Sequence, residues 1–165
     1  MGASEDLEKI ALQERELLLP RLDMQTAWEL GSRLRAMALE RGLAVVIDVR
    51  RFGQPLFYAA MEGTTPDNVE WVRRKSNVVA RFHHSSYSVG LKEKSKNQTL
   101  LESHGLPLAD YATHGGSFPL AVRGAGVVGS VTVSGLPQRM DHELVVEALC
   151  DLIGPEYKTL RLGAE

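Results

Sequence analysis

Cysteine is nearly absent: Cys150 is the only one in 165 residues. That excludes an internal disulfide and any metal knuckle built from paired cysteines. Cys150 sits in an apolar-periodic segment, where a free thiol packs as a small core residue. Basic charge is not in excess either. Nineteen Lys and Arg against 21 Asp and Glu leave a formal charge of −2. Nucleic-acid binders normally carry a basic patch or stripe, so this balance argues against one. The longest apolar runs are a few residues, far short of a membrane span. Met1-Gly2-Ala3-Ser4-Glu5-Asp6 is acidic and has no hydrophobic stretch of signal-peptide type. Asp6 also stands where a myristoylation motif wants Ser or Thr. Together these absences predict a cytoplasmic protein with neither nucleic acid nor membrane as partner.

What is present is ordinary for a globular chain: 44% hydrophobic and 24% charged residues, too apolar for disorder. The length suits one domain that buries roughly 70% of its unfolded surface. Ser4 is a candidate N-cap, and Leu7, Ile10, Ala11, Leu17 and Leu18 recur at helical spacing up to the breaker Pro20. Asp23 caps a second helix with Ala27, Leu30, Leu34, Met37 and Ala38 on one face, closed by Gly42. The β-branched run 43–50 and the segment 56–60 form a hairpin around Phe52-Gly53-Gln54-Pro55. Thr65-Pro66-Asp67 opens a third helix, with Val69, Val72, Val79 and Phe82 on its apolar face. A long polar connection spans His83 to about Ser117, with helical hints only at 100–103 and 108–113. A second hairpin, 118–122 and 127–134, leads to a last helix after Pro137 that Gly154-Pro155 ends. Hairpins between helices predict an α+β sandwich: an antiparallel sheet of about five strands flanked by helices, profilin-like or PAS-like. The expected organisation is an N-terminal helical arm over 1–22, a domain over 23–154 and a tail over 155–165.

Candidate chemistry gathers at a few positions. In His114-Gly115-Gly116-Ser117 the glycines let backbone approach a ligand, and successive amides can form an anion-binding nest. His114 is a candidate general base; the alternative is a sharp entry into a strand, with His114 bonded to a neighbouring loop. Asp48 interrupts an apolar strand, so it either lines a pocket or pairs, with Arg50 or Lys75 as partner. Arg73-Arg74-Lys75 follows Trp71 on the third helix and suits a carboxylate, or else is a solvated face or a subunit contact; Lys75 lies on the inward Val72–Val79 side. His83 and His84 are neighbours on different helix faces and a poor metal pair. His104 suits a helix C-terminus, and Asp141 suits a cap. With no His-x-x-x-His or Cys-x-x-Cys-His, neither a metalloprotease nor a covalently attached haem is expected, and no metal site is assigned. Gly124-x-Gly126-x-x-Gly129 has the letters of a dinucleotide fingerprint but runs into a strand rather than a helix.

Three segments carry a family resemblance. They are Gly42-Leu43-Ala44-Val45-Val46-Ile47-Asp48-Val49, His114-Gly115-Gly116-Ser117-Phe118-Pro119, and Gly126-Val127-Val128-Gly129-Ser130-Val131-Thr132-Val133-Ser134-Gly135 followed by Asp141. In order and spacing they resemble the GlcG/HbpS, or haem-degrading, family over about residues 23–153. Thr64-Thr65-Pro66-Asp67-Asn68 with Trp71 and Arg74-Lys75, Ser85-Ser86-Tyr87 and His114-Gly115-Gly116 resemble a cytosolic branch of it. The resemblance implies a helix-flanked antiparallel sheet, a ring-like homo-oligomer, and haem binding or degradation. His114, Tyr87 and Tyr111 are then the candidate haem ligands.

Three functions follow as expectations. The first is a small-ligand domain, with haem or another small anion bound between the sheet and the 83–118 segment. Asp48, Arg74, Lys75, Tyr87, His114, Gly115, Gly116 and Ser117 are its candidate site residues. The second is a non-enzymatic homo-oligomeric scaffold that uses the first helix for docking. The third is an enzyme with Asp48 and His114 as an acid–base pair, which requires both within reach of one substrate atom.

Overall fold

The alternation through Val45–Arg50 sorts onto two faces of a central sheet in the computed structural model, which describes residues 2–164. Along the chain lie α1 (Ala3–Glu16), β1 (Leu18–Leu19), α2 (Met24–Arg41), β2 (Val46–Arg51), β3 (Gln54–Ala60) and α3 (Pro66–Phe82). There follow α4 (Ser86–Ser95), α5 (Leu100–His104), β4 (Ser117–Val122), β5 (Gly126–Ser134), α6 (Gln138–Ile153) and α7 (Tyr157–Leu160). The strands lie in the order β1-β4-β5-β2-β3. One face packs Ile47, Val49, Phe118, Leu120, Val131 and Val133 against α2 and α6. The other carries Asp48, Ser117, Ser130 and Thr132 under α3. The apolar side is the core, so chemistry is confined to the α3 side and its margins. Among the described residues, no helix is long and apolar enough to cross a membrane.

The α+β architecture is the expected one, but the sheet is mixed. Three ladders are antiparallel, while β1 runs parallel to β4. The first helix was expected to continue to Pro20 and stops at Glu16 instead. Leu17 and Leu19 are each 2% exposed; alternate residues of an extended chain reach the core together, which neighbours on a helix cannot do. Gly2, not Ser4, stands at the N-cap of α1. The buried stripe of that helix is Asp6, Ile10 and Gln13, and it packs on α4 and α7 of the same chain. The predicted caps hold elsewhere. Asp23 accepts the Thr26 amide at 2.7 Å, Gly42 is left-handed, and Thr65 with Asn68 forms a capping box ahead of α3. The long 83–117 connection contains α4 and α5, whereas 108–113 is turn and coil.

Candidate functional site

The third helix delivers Lys75 to the sheet, as its place beside Val72 and Val79 predicts. It is 3% exposed and donates to Asp141 at 3.0 Å and to the Val133 carbonyl at 3.3 Å. Asp141, in the first turn of α6, also accepts the amides of Gly135 and Leu136. It therefore caps a turn and holds a buried ion pair at once. Burial pushes the Lys75 ammonium down and the Asp141 carboxyl up, and each charge offsets part of that for the other.

Two clefts meet above this pair, and His114 lines both. The larger, about 510 Å³, runs between α4, α5 and the 108–114 segment; the smaller, about 230 Å³, reaches Trp71, Lys75 and Asp141. The His114 ring meets Trp71 edge-on at 4.9 Å, and its nitrogens make no hydrogen bond among the described residues. Burial, then the charges of Lys75 and Arg74, hold its pKa below the usual value, so the imidazole is neutral at pH 7 with a free lone pair. Tyr87, Leu91, Leu100, Leu108 and Tyr111 give the larger cleft an apolar and aromatic wall, with Lys94 exposed on it.

The other sequence candidates divide. Gly116 has φ +136, and a Cβ there would lie 2.3 Å from the Val133 carbonyl oxygen and 2.9 Å from Lys75 Nζ, so glycine is required. Gly115 donates its amide to Gln138 Oε1 at 3.0 Å, and Ser117 donates its own to Ser86 Oγ at 3.1 Å. These amides are already used, so the anion-binding nest does not form. The Ser117 hydroxyl is buried against Thr132. Arg74 lies over Trp71 and donates to the Leu108 carbonyl, bracing the cleft wall rather than lining it. Arg73 is held by Glu70 and Asp110.

Asp48 is a correction. It is fully buried, accepts from Arg50 Nε at 2.6 Å, and lines neither cleft. The acid–base pair with His114 is therefore not assembled, because a buried carboxylate takes the guanidinium two residues along its own strand. Of the paired alternatives, Arg50 is the partner and Lys75 is not.

Sequence reasoning missed the support behind Tyr87. His142 is fully buried, its ring 5.3 Å from Tyr87 and 5.8 Å from Phe118. Gln13 donates its amide to the Leu160 carbonyl, so its Oε1 must accept from His142 Nε2 at 2.8 Å. That fixes the Nε2–H tautomer. Nearby, Arg139 bridges Asp6, the Tyr87 hydroxyl and the Gly163 carbonyl. The one sequence signal was Asp6 and Gln13 sharing a helical stripe with Ile10. Among the described residues, no group of three or more His, Cys, Asp or Glu stands ready for a metal ion.

Comparison with known proteins bears on this site. The family of haem-degrading, HbpS-like proteins matches residues 22–150. A UPF0303 protein of Burkholderia thailandensis is 63% identical over 163 residues, 99% of either chain. The solved Ybr137w protein is 31% identical with a TM-score of 0.81, over 88% of this chain and 86% of that one. PduOC, solved as a haem complex, is 18% identical with a TM-score of 0.66, over 78% and 93% of the two chains; at that identity the likeness is one of fold.

Proposed function

The chain belongs to the HbpS-like haem-degrading family, and from that premise we propose that it binds haem in the larger cleft, with His114 as the iron ligand. The observation that carries this reading is a neutral imidazole with no hydrogen-bond partner among the described residues, at the mouth of a cleft of about 510 Å³. Ligand sites commonly span about 300–1,000 Å³, and this one sets its apolar and aromatic side chains beside polar Asn97, Gln98, Thr99 and Glu102. The residues present fit the group. Leu91, Leu100 and Leu108 offer apolar contact, Tyr87 and Tyr111 flat faces, and Lys94 a cation for a propionate. Bound haem would supply redox chemistry at its iron. The chain itself holds the ring, keeps the His114 lone pair available, and fixes that residue between Trp71 and the Gly115–Gly116 turn.

Haemin added to the purified protein should give a Soret band that saturates near one haem per chain. His114→Ala should weaken binding by roughly tenfold or more, with an unchanged far-ultraviolet circular dichroism spectrum. Non-saturating absorbance, or an unaltered titration in the variant, would remove haem from this cleft. Protein-dependent bleaching on adding ascorbate would extend the reading from binding to degradation.

Self-association is a second part of the reading. Met24 and Trp28, one turn apart on α2, are 54% and 61% exposed. Trp28 rests edge-on against Phe57 of β3, whose outer edge pairs with no strand among those described. An unpaired edge beside exposed aromatic surface suits a second copy of the chain.

A further inference from the structure

On the α3-covered face, a separate hollow of about 120 Å³ opens where the β2–β3 turn approaches the end of α3. It shares no lining residue with the clefts around His114. Two directly opposed residues form the polar part of its sheet wall. Arg50 of β2 and Ser130 of β5 are cross-strand partners, so both point to this face. Arg50 gives its Nε–H to buried Asp48, while its two Nη groups donate to no residue among those described. Ser130 is 5% exposed, and its hydroxyl likewise makes no hydrogen bond among the described residues. The Arg50 side chain is 24% exposed, so an idle hydroxyl beside an idle guanidinium fork offers hydrogen-bond donors to an acceptor that enters the hollow from solvent. Val127 and Val128 of β5 add apolar surface, Phe52 stands at the lip, and α3 supplies the other wall with Ser76, Asn77, Ala80 and the capping His83.

The chemistry of the acceptor can be narrowed. A guanidinium fork matches a planar carboxylate with two parallel hydrogen bonds. Asp48 already offsets one unit of charge at Arg50, which favours a monoanion over a phosphate dianion. The volume equals about four waters at roughly 30 Å³ each, room for an acid of about two to four carbons. We propose that this hollow binds a short-chain monocarboxylate, its carboxylate held by the Arg50 fork and the Ser130 hydroxyl and its alkyl part against Val127 and Val128.

Titration of the full-length ¹⁵N-labelled protein with propionate, neutral propionamide and inorganic phosphate tests this. Propionate should shift the Gly129 and Ser130 amides and the Arg50 Nε–H to saturation in the millimolar range, as befits so small a ligand. Propionamide should not, and phosphate should bind more weakly than propionate. Ser130→Ala should weaken propionate by roughly tenfold, the worth of one charge-assisted hydrogen bond. Equal shifts with propionate and propionamide, tighter binding of phosphate, no saturation, or an unaffected Ser130→Ala variant would each overturn the proposal.

Discussion

His142 is the residue whose chemistry most departs from its ordinary behaviour. Complete burial, then the nearby Arg139 charge, lower its pKa to about 3. Above pH 6.5 it is neutral in folded and unfolded chains alike and leaves stability independent of pH. Below 6.5 the unfolded chain takes up a proton that the folded chain refuses, so stability is lost as pH falls toward 3. Linkage sets that loss at about 4 kcal/mol by pH 3. Histidine-resolved NMR should show the His142 imidazole still neutral at pH 5, with urea midpoints falling between pH 6.5 and 3. A His142 imidazole that titrates near pH 6.5 would mean that this side chain is solvated. None of this was legible in the sequence, because Gln13 and His142 lie 129 positions apart and neither residue type announces burial. Lys75 was legible as inward-facing, since its place in the helical repeat depends on local spacing alone. Its partner Asp141 was legible only as a cap.

At the scale of elements, the sequence conveyed those whose signals are local. Asp23, Gly42 and Thr65-Pro66 mark the ends of α2 and the start of α3 where the structure has them. Helix α4 carries one such signal, the Ser85 N-cap that accepts the Ser88 amide, but no apolar periodicity: Ser86 and Ser88 on its buried side are small and polar, and Gly90 sits at its middle. The structure supplies the reason for that glycine. A Cβ at Gly90 would lie 2.2 Å from the Thr113 carbonyl oxygen, so α4 packs directly on the segment that carries His114. Gly90→Ala should therefore destabilise the protein by about 1–3 kcal/mol through overpacking, although alanine favours an isolated helix by up to about 1 kcal/mol. Chemical denaturation decides between the two. A gain in stability would show that α4 does not press on Thr113. Strand β1 was hidden for a different reason. Only its parallel pairing with β4 makes Leu18–Leu19 a strand, and that partner lies over a hundred positions away.

For the whole molecule, the sheet separates two kinds of surface. The side packed on α2 and α6 is apolar and closed. The α3 side is polar and borders the hollows described above. The edge at β3, beside exposed Met24 and Trp28, is where a second copy would add. Trp28→Glu should lower the mass measured by light scattering while leaving the fold intact, because the side chain is mostly solvent-facing. An unchanged mass would place the contact elsewhere. The expected docking role of α1 does not suit its geometry, since its buried stripe is spent on α4, α7 and the Arg139 and His142 contacts within the chain.

The central claim is that His114 supplies the bond that holds haem. The most direct measurement is rescue of His114→Gly by free imidazole, with haem retained on the protein read after desalting. The account predicts that the variant loses haem on the column and that imidazole restores both the wild-type Soret position and one haem per chain. Haem retained by the variant without imidazole, or never restored with it, would contradict the assignment of His114.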